Sequence, residues 1–185
     1  MNLKDLCNKN INSKKGIPRE VSLEILEFAE SGYKEIHTAK KVIKAFEKLG
    51  QKDIQSGIAI TGMRTTLDTG SPGPNIAVIG ELDGLPVPGH PHENLENGMA
   101  HACGHHVQIG NMLTVLTGLS DEKILNNLSG KITFFAVPAE EFVEIQWRNE
   151  LRKNGDIEFL GGKQEMIKLG AFDDIDMAMM THTTP

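Results

Sequence analysis

Three histidines and one cysteine lie within six residues, in the stretch His101-Ala102-Cys103-Gly104-His105-His106. Imidazole and thiolate are side chains that borderline-soft divalent metals such as zinc prefer. Cys103 and His105 are two positions apart, so in an extended or turn segment their side chains point to one side and can hold one ion. His101 lies two positions before Cys103 and so points to the same side, whereas His106 points to the other side. The stretch predicts a metal site, and a buried structural thiol beside surface histidines is the alternative.

The segment after this cluster has the apolar spacing of a helix, which we predict over residues 107–119. Its apolar positions are Ile109, Met112, Leu113, Leu116 and Leu119. The cluster then lies in a loop at a helix N-terminus, where free N–H groups favour a thiolate. The sequence therefore predicts an ionised Cys103.

Polar candidates also follow three apolar runs that read as strands. Asp83 ends the run that starts at Ile76, Glu140-Glu141 follow residues 131–137, and His182 follows residues 177–181. Taken singly, Asp83 is explained as a turn or capping acid, the glutamates as a solvated pair, and His182 as a structural histidine. In open α/β sheets, however, sites are built at the carboxyl ends of strands. The common placement favours one site.

The elements that must position these residues alternate between strands and helices. Further helices are predicted at about residues 18–32, 35–49, 120–125 and 163–169, with a helix and a turn within 142–160, and an earlier strand pair at 58–60 and 65–67. A long loop over 84–98 connects Asp83 to the cysteine–histidine cluster. The order favours an α/β fold with a mainly parallel sheet flanked by helices. Residues 1–16 are polar and are interpreted as a loose N-terminal segment.

Composition excludes several classes of function. The 185 residues carry a net charge of −6, and only 5% are aromatic, so no basic and aromatic surface for nucleic acid is expected. No apolar run is long enough to cross a membrane, and the N-terminus lacks the apolar core of a signal peptide. Two cysteines, Cys7 and Cys103, do not make a disulfide framework. A cytoplasmic location is expected, because a free thiol persists there.

Three ordered motifs resemble the metal-dependent amidohydrolases of the aminoacylase/carboxypeptidase G family. They are Gly80–Pro86 (GELDGLP), Gly98–His105 (GMAHACGH) and Pro138–Glu141 (PAEE). The branch that is most similar contains N-acyl-amino-acid hydrolases, hippurate hydrolase and aminobenzoyl-glutamate hydrolase. Residues 161–163, 170–176 and the strand that ends at His182 match the same branch in order. The resemblance covers residue 33 to the end and implies a zinc-peptidase-like catalytic domain.

This resemblance implies a role for each candidate residue. The metal ligands would be Cys103, His105, Glu141 and His182. Glu140 would be the general base, and Asp83 the catalytic aspartate or the aspartate that orients the site. The ion would be zinc first, with manganese or cobalt as alternatives. The reaction would be hydrolysis of an amide bond in a small-molecule N-acyl amino acid or peptide by a metal-activated water, in a protein that is a homodimer at full length.

The sequence also departs from the family pattern. His106 stands where many members have Asp, Glu81 where the branch often has Asp, and Phe142 follows the glutamate pair where glycines are usual. Members continue into a lid or dimerisation domain and return with a last histidine ligand, whereas this chain stops at Pro185. Residues 17–185 are therefore expected to be the N-terminal part of a catalytic metallohydrolase domain, truncated before the lid and inactive or nearly so alone.

Two other functions compete with this one. A non-catalytic descendant that binds a metal or ligand, or an inactive fragment of such an enzyme, would accommodate the departures from the family pattern. A thiol hydrolase with Cys103 as nucleophile would use the neighbouring histidines. The thiol hydrolase does not account for the glutamate pair or for His182.

Overall fold

A five-stranded sheet with helices on both faces forms the centre of the computed structural model, which describes residues 2–183. The strands are β1 Ile54–Ile58, β2 Gly62–Asp68, β3 Asn75–Glu81, β4 Leu85–Pro86, β5 Met99–Ala100, β6 Lys131–Val137 and β7 Met177–Met180. The helices are α1 Leu3–Lys14, α2 Gly16–Glu27, α3 Ile36–Lys48, α4 His105–Leu119, α5 Glu122–Leu125, α6 Ile145–Asn154 and α7 Gly162–Lys168. In residues 2–183 no helix has both the length and the apolar character to cross a bilayer.

The strand order of the large sheet is β1-β2-β6-β3-β7. β3 pairs in parallel with β6 on one side and with β7 on the other, so these three strands end at one edge. β1 and β2 are antiparallel, because only three residues connect them and a parallel pair needs a long crossover. The predicted α/β fold with a mostly parallel core is confirmed, with this antiparallel hairpin added at one side.

Apolar side chains pack on both faces of the sheet. One core lies under α2, α3 and α4 and includes Phe46, Leu113 and Phe134. The other includes Phe135 and Met166 on the opposite face. Neighbouring residues of β6 enter different cores because successive strand side chains point to opposite faces. β3 is buried along most of its length, as its continuous apolar run predicted.

Residues 3–14 form a helix, so the prediction of a loose segment there was wrong. The Asn2 side chain accepts a hydrogen bond from the Asp5 N–H at 2.8 Å and caps the first turn. α1 then packs against α4, where Ile11 approaches Gly118 closely enough that a Cβ there would lie 3.2 Å from it. The polar composition concealed this helix because α1 buries no residue completely.

The loop over 84–98 is fixed to the domain although it is long. Its two ends pair as the short antiparallel strands β4 and β5. The side-chain amides of Asn94 and Asn97 donate to the carbonyl oxygen of Ala29 at 3.1 and 3.0 Å. These contacts hold the chain in place where it passes from Asp83 to the cysteine–histidine cluster.

Candidate metal centre

The predicted site residues meet at the edge where β3, β6 and β7 end. Glu81 and Asp83 come from the end of β3, Glu140 and Glu141 follow β6, and His182 follows β7. The start of α4 brings Cys103 and His105 to the same edge, with Gly104 as the N-cap at φ +90°. A left-handed backbone suits glycine at this position, because the chain turns sharply between the two donor residues.

His105 is completely buried and lies at the centre of the cluster. Its Nε2 atom is 3.0 Å from Glu81 Oε2, 3.7 Å from Glu140 Oε2 and 3.9 Å from Glu141 Oε1. Its Nδ1 atom is 2.7 Å from the Asp83 carbonyl oxygen and 3.5 Å from Asp83 Oδ1. One imidazole therefore faces four carboxylates, an environment that attracts a cation.

The pKa values of the cluster reflect this excess of negative charge. Burial by itself lowers the pKa of His105, but the carboxylates of Asp83 and Glu81 outweigh it and raise this pKa to about 11. Burial raises the pKa of Glu81, but His105 and Lys163 outweigh that effect and lower it to about 2. Without another cation, a proton on His105 neutralises part of the charge.

Cys103, His105 and His182 form one group of donor atoms that all lie within 4.8 Å of one another. The Sγ atom of Cys103 is 3.3 Å from Nε2 of His182. Glu81, His105 and Glu140 form a second such group and share the imidazole. The structure thus brings together every residue that the sequence analysis selected as a ligand or base.

The donor set fits a divalent ion. Nitrogen, sulfur and oxygen donors meet at one place, as in zinc sites that retain an open position. Two buried carboxylate oxygens at this place, Asp83 Oδ1 and Glu141 Oε1, have no hydrogen-bond partner among residues 2–183. Buried carboxylate oxygens that accept no hydrogen bond are costly even near an imidazolium, so a divalent cation among them would remove an unfavourable contribution to the free energy.

The thiol of Cys103 differs from the sequence prediction. Burial, followed by the neighbouring Glu141 carboxylate, raises the pKa of this thiol. The predicted preference for a thiolate at the start of α4 was wrong, because burial first, and then the Glu141 carboxylate, favour the protonated thiol. A protonated thiol is a poor nucleophile, which disfavours the thiol-hydrolase alternative.

Asp83 is completely buried between His105 and the glutamate pair. Its Oδ2 atom accepts a hydrogen bond from the Glu141 N–H at 2.9 Å. The side chain therefore contacts both the imidazole and the backbone of a proposed ligand, which suits an orienting role.

Sequence reasoning missed Glu81, which belongs to this cluster, and two residues that bind it, Lys163 and Gln108. Lys163 donates to Glu81, and its Nζ atom lies 3.9 Å from Glu140 Oε1. Gln108, three residues after His105 in α4, donates to Glu81 Oε2 at 2.9 Å. The sequence did contain a sign that Glu81 faces the site, because Glu81 lies two positions before Asp83 at the end of the strand and so points to the same side.

His101 and His106 pack against each other beside the cluster, with ring centroids 5.8 Å apart. Neither ring nitrogen of His101 has a hydrogen-bond partner in the described part of the chain. Burial, then His106 and His105, lower the pKa of His101 to about 3, so this imidazole is neutral. Within residues 2–183, neither residue belongs to a group of three or more metal-donor side chains.

Comparisons with known proteins give relatives of this chain in sequence. The sequence profile of peptidase family M20/M25/M40 matches residues 77–185. Thermostable carboxypeptidase 1 of Saccharolobus solfataricus is 29% identical over 169 residues, which are 88% of this chain and 38% of that protein. N-acetyldiaminopimelate deacetylase of Brevibacillus brevis is 29% identical over 125 residues, covering 66% of this chain and 32% of that protein. The chain spans about two fifths or less of the length of these relatives.

Two solved structures share the fold. The YXEP protein of Bacillus subtilis, a dinuclear metal binding peptidase, superimposes with a TM-score of 0.72 at 21% identity, covering 93% of this chain and 44% of that one. The aminobenzoyl-glutamate utilization protein of Klebsiella pneumoniae superimposes with a TM-score of 0.61 at 20% identity, covering 96% and 44%. At these identities the likeness concerns the fold.

Proposed function

Because the chain belongs to peptidase family M20/M25/M40, we propose that the full-length protein uses a divalent metal ion to hydrolyse an amide bond in an N-acyl amino acid or small peptide. The observation that carries the proposal is the convergence of Cys103, His105 and His182 within 4.8 Å, beside buried carboxylates. The relatives named as a carboxypeptidase and as a deacetylase support cleavage of an amide bond next to an amino acid.

Four side chains would hold the ion: Cys103, His105, Glu141 and His182. Zinc suits a set that contains thiolate and imidazole, and manganese or cobalt suits its carboxylate. A bound divalent ion lowers the pKa of a water molecule and polarises an amide carbonyl. To hold the ion, the Cys103 thiol and the His105 imidazolium would each have to give up a proton, so we expect weaker metal binding at low pH.

Glu140 has the position and the charge environment of the general base. Its side chain is 37% exposed, so it is open to water and substrate, and Oε2 lies 3.7 Å from His105 Nε2. Burial, followed by the negative charge of Glu81, raises its pKa. A base with a raised pKa accepts a proton from water more readily. Glu140 Oε2 would take the water proton and return it to the leaving amide nitrogen.

Other residues in this mechanism keep the reacting groups in position. Asp83 holds the Glu141 backbone and faces the His105 ring, so it orients two proposed ligands together. Lys163 and Gln108 bind Glu81 and keep its carboxylate at the buried side of the imidazole. The exposed side of the cluster, at Glu140 and His182, is left to water and substrate.

The experiment compares Glu140→Gln with Glu141→Gln in the full-length protein. We expect Glu140→Gln to retain the metal and to lose turnover by at least about a hundredfold, the usual scale of general base catalysis. Glu141→Gln should lose metal affinity, because an amide is a weaker ligand than a carboxylate. Elemental analysis and hydrolysis of N-acetyl and N-benzoyl amino acids measure the two effects.

The control is Glu150→Gln, since Glu150 lies on the exposed side of α6, where it pairs with Lys153 of the same helix. It should retain both metal and turnover. If Glu141→Gln keeps the metal while Glu140→Gln loses it, the two roles are exchanged. If the metal-loaded wild-type protein hydrolyses none of the acyl amino acids or small peptides, the proposed function is wrong and the non-catalytic alternative is favoured.

A further inference from the structure

The backbone turns sharply just before the proposed base. Ala139 follows β6 and has φ +52°, in the left-handed region that residues with a side chain rarely adopt. The direction in which Glu140 leaves the sheet depends on this turn. A residue in such a conformation persists only where its surroundings hold it there.

Hydrogen bonds hold the peptides on both sides of Glu140. The Ala139 N–H donates to Glu35 Oε1 at 2.8 Å, and the Glu141 N–H donates to Asp83 Oδ2 at 2.9 Å. The carbonyl oxygen of Ala139 accepts from the Gly162 N–H at 3.1 Å. Two buried acidic side chains, Glu35 and Asp83, therefore accept hydrogen bonds from the N–H groups of the residues just before and just after the base.

Glu35 reaches this turn from more than a hundred positions away in the sequence. It is completely buried at the start of α3, yet among the described residues its side chain does not cap that helix. Glu30 caps α3 instead, by accepting from the N–H groups of His37 and Thr38. The second oxygen of Glu35 accepts from the Thr61 hydroxyl at 2.5 Å. The Glu35 side chain thus links the turn after β6 to the three-residue segment between β1 and β2.

Burying a carboxylate without a cation beside it is unfavourable. Burial, then the charge of Asp83, raise the pKa of Glu35 to about 8. This cost to stability is not offset by a helix cap or by an ion pair within residues 2–183. What the side chain does provide is the acceptor for the left-handed peptide.

We propose that Glu35 is a positioning residue: by accepting the hydrogen bond of the Ala139 N–H, it fixes the direction of the Glu140 side chain. The proposal rests on the proposed function for its catalytic consequence. Among residues 2–183, Glu35 belongs to neither group of donor atoms, so its removal should change the placement of the base and leave the ligands in place. A small displacement of a catalytic group reduces rate far more than binding.

The experiment uses three variants of the metal-loaded full-length protein. Glu35→Ala removes the acceptor and should lower kcat on the order of a hundredfold, with KM and metal content within about twofold. Glu35→Gln retains an oxygen that can accept from the Ala139 N–H and should recover most of kcat. Glu30→Ala is the matched control, because it removes a carboxylate that accepts backbone N–H groups in the same segment but does not reach residue 139.

Amide hydrogen exchange gives a readout that does not require activity. Glu35→Ala should accelerate exchange in the peptide over 138–142, whereas Glu30→Ala should accelerate it at the start of α3. If Glu35→Ala does not fold, Glu35→Asp takes its place in the experiment, because the shorter side chain moves the acceptor away from the Ala139 N–H by one methylene. If the wild-type protein has no hydrolytic activity, the proposed function fails and the exchange result alone decides on Glu35.

Three outcomes would overturn the proposal. The first is that exchange over 138–142 is unchanged when Glu35 is replaced by Ala. The second is an equal loss of kcat in Glu35→Ala and Glu30→Ala, which would show a general loss of stability. The third is that Glu35→Gln is as slow as Glu35→Ala, which would mean that an acceptor for the Ala139 N–H is not enough to position the base.

Discussion

Removing the metal ion should lower the free energy of unfolding, because the cluster around His105 holds more negative than positive charge. Four carboxylates lie within 3.9 Å of its ring nitrogens, and one of them, Asp83, is completely buried. Among residues 2–183, only the imidazolium and the Lys163 ammonium offset them when no ion is bound. A divalent ion that binds the folded chain and not the unfolded chain therefore adds directly to the free energy of unfolding.

The size of the effect follows from mass action. An ion at one hundred times its dissociation constant stabilises the folded state by about 2.7 kcal/mol. For a chain of about 150–250 residues, 1 kcal/mol shifts Tm by roughly 2–4 °C. We therefore expect zinc, manganese or cobalt to raise Tm by about 5–11 °C above that of the chelated protein.

Differential scanning fluorimetry with and without chelator measures this shift. His105→Gln should abolish it, because the central donor is gone. His37→Gln, on the surface of α3 where the ring packs on Phe28, is the control and should keep the full shift. A shift of equal size in His105→Gln and the wild type would refute the assignment, as would a wild-type protein whose Tm does not respond to any of the three ions.

Two further predictions concern the same edge of the sheet. The pKa of His105 is raised from 6.5 to about 11 in the metal-free fold, so its contribution to stability is complete below pH 6.5 and is lost as pH rises towards 11. Urea unfolding of the chelated protein should show lower stability at pH 9 than at pH 6, and the reverse order would contradict the geometry. Gly162→Ala should destabilise by about 1–3 kcal/mol and lower turnover, because the new Cβ would lie 1.8 Å from the Pro138 carbonyl oxygen. Gly16→Ala, where no atom lies within 4 Å of the new Cβ, is its control, and an equal response of the two variants in urea unfolding would count against the argument.

The sequence predicted the elements that bury continuous apolar runs. β6 has the predicted bounds, because its apolar run is flanked by a turn at Gly130 and by Pro138. α4 begins at His105, two residues earlier than predicted, since its first turn is polar and faces the site instead of the apolar core. α1 was missed because its stability comes from a cap and from packing on α4, and neither produces a clear helical spacing of apolar residues in the sequence.

The site was predicted to the extent that its residues fall in motifs. Cys103, His105 and the glutamate pair were selected by their types and spacing. Glu35 was not, because it lies in a charged stretch beside Lys34, and only the fold reveals that its carboxylate is buried. Zinc as the native ion, a homodimer at full length and a cytoplasmic location stay predictions.

The parallel register of β3 and β6 aligns Glu81 with Val137, and this has a consequence for how the chain folds. Forming this register closes the segment between β3 and β6, which contains α4 and α5, and brings the carboxylates together. The entropy of loop closure and the mutual repulsion of these charges then oppose the same step. A divalent counterion present during that closure would offset the repulsion, so we expect this domain to refold more slowly in a chelator than in the presence of the ion.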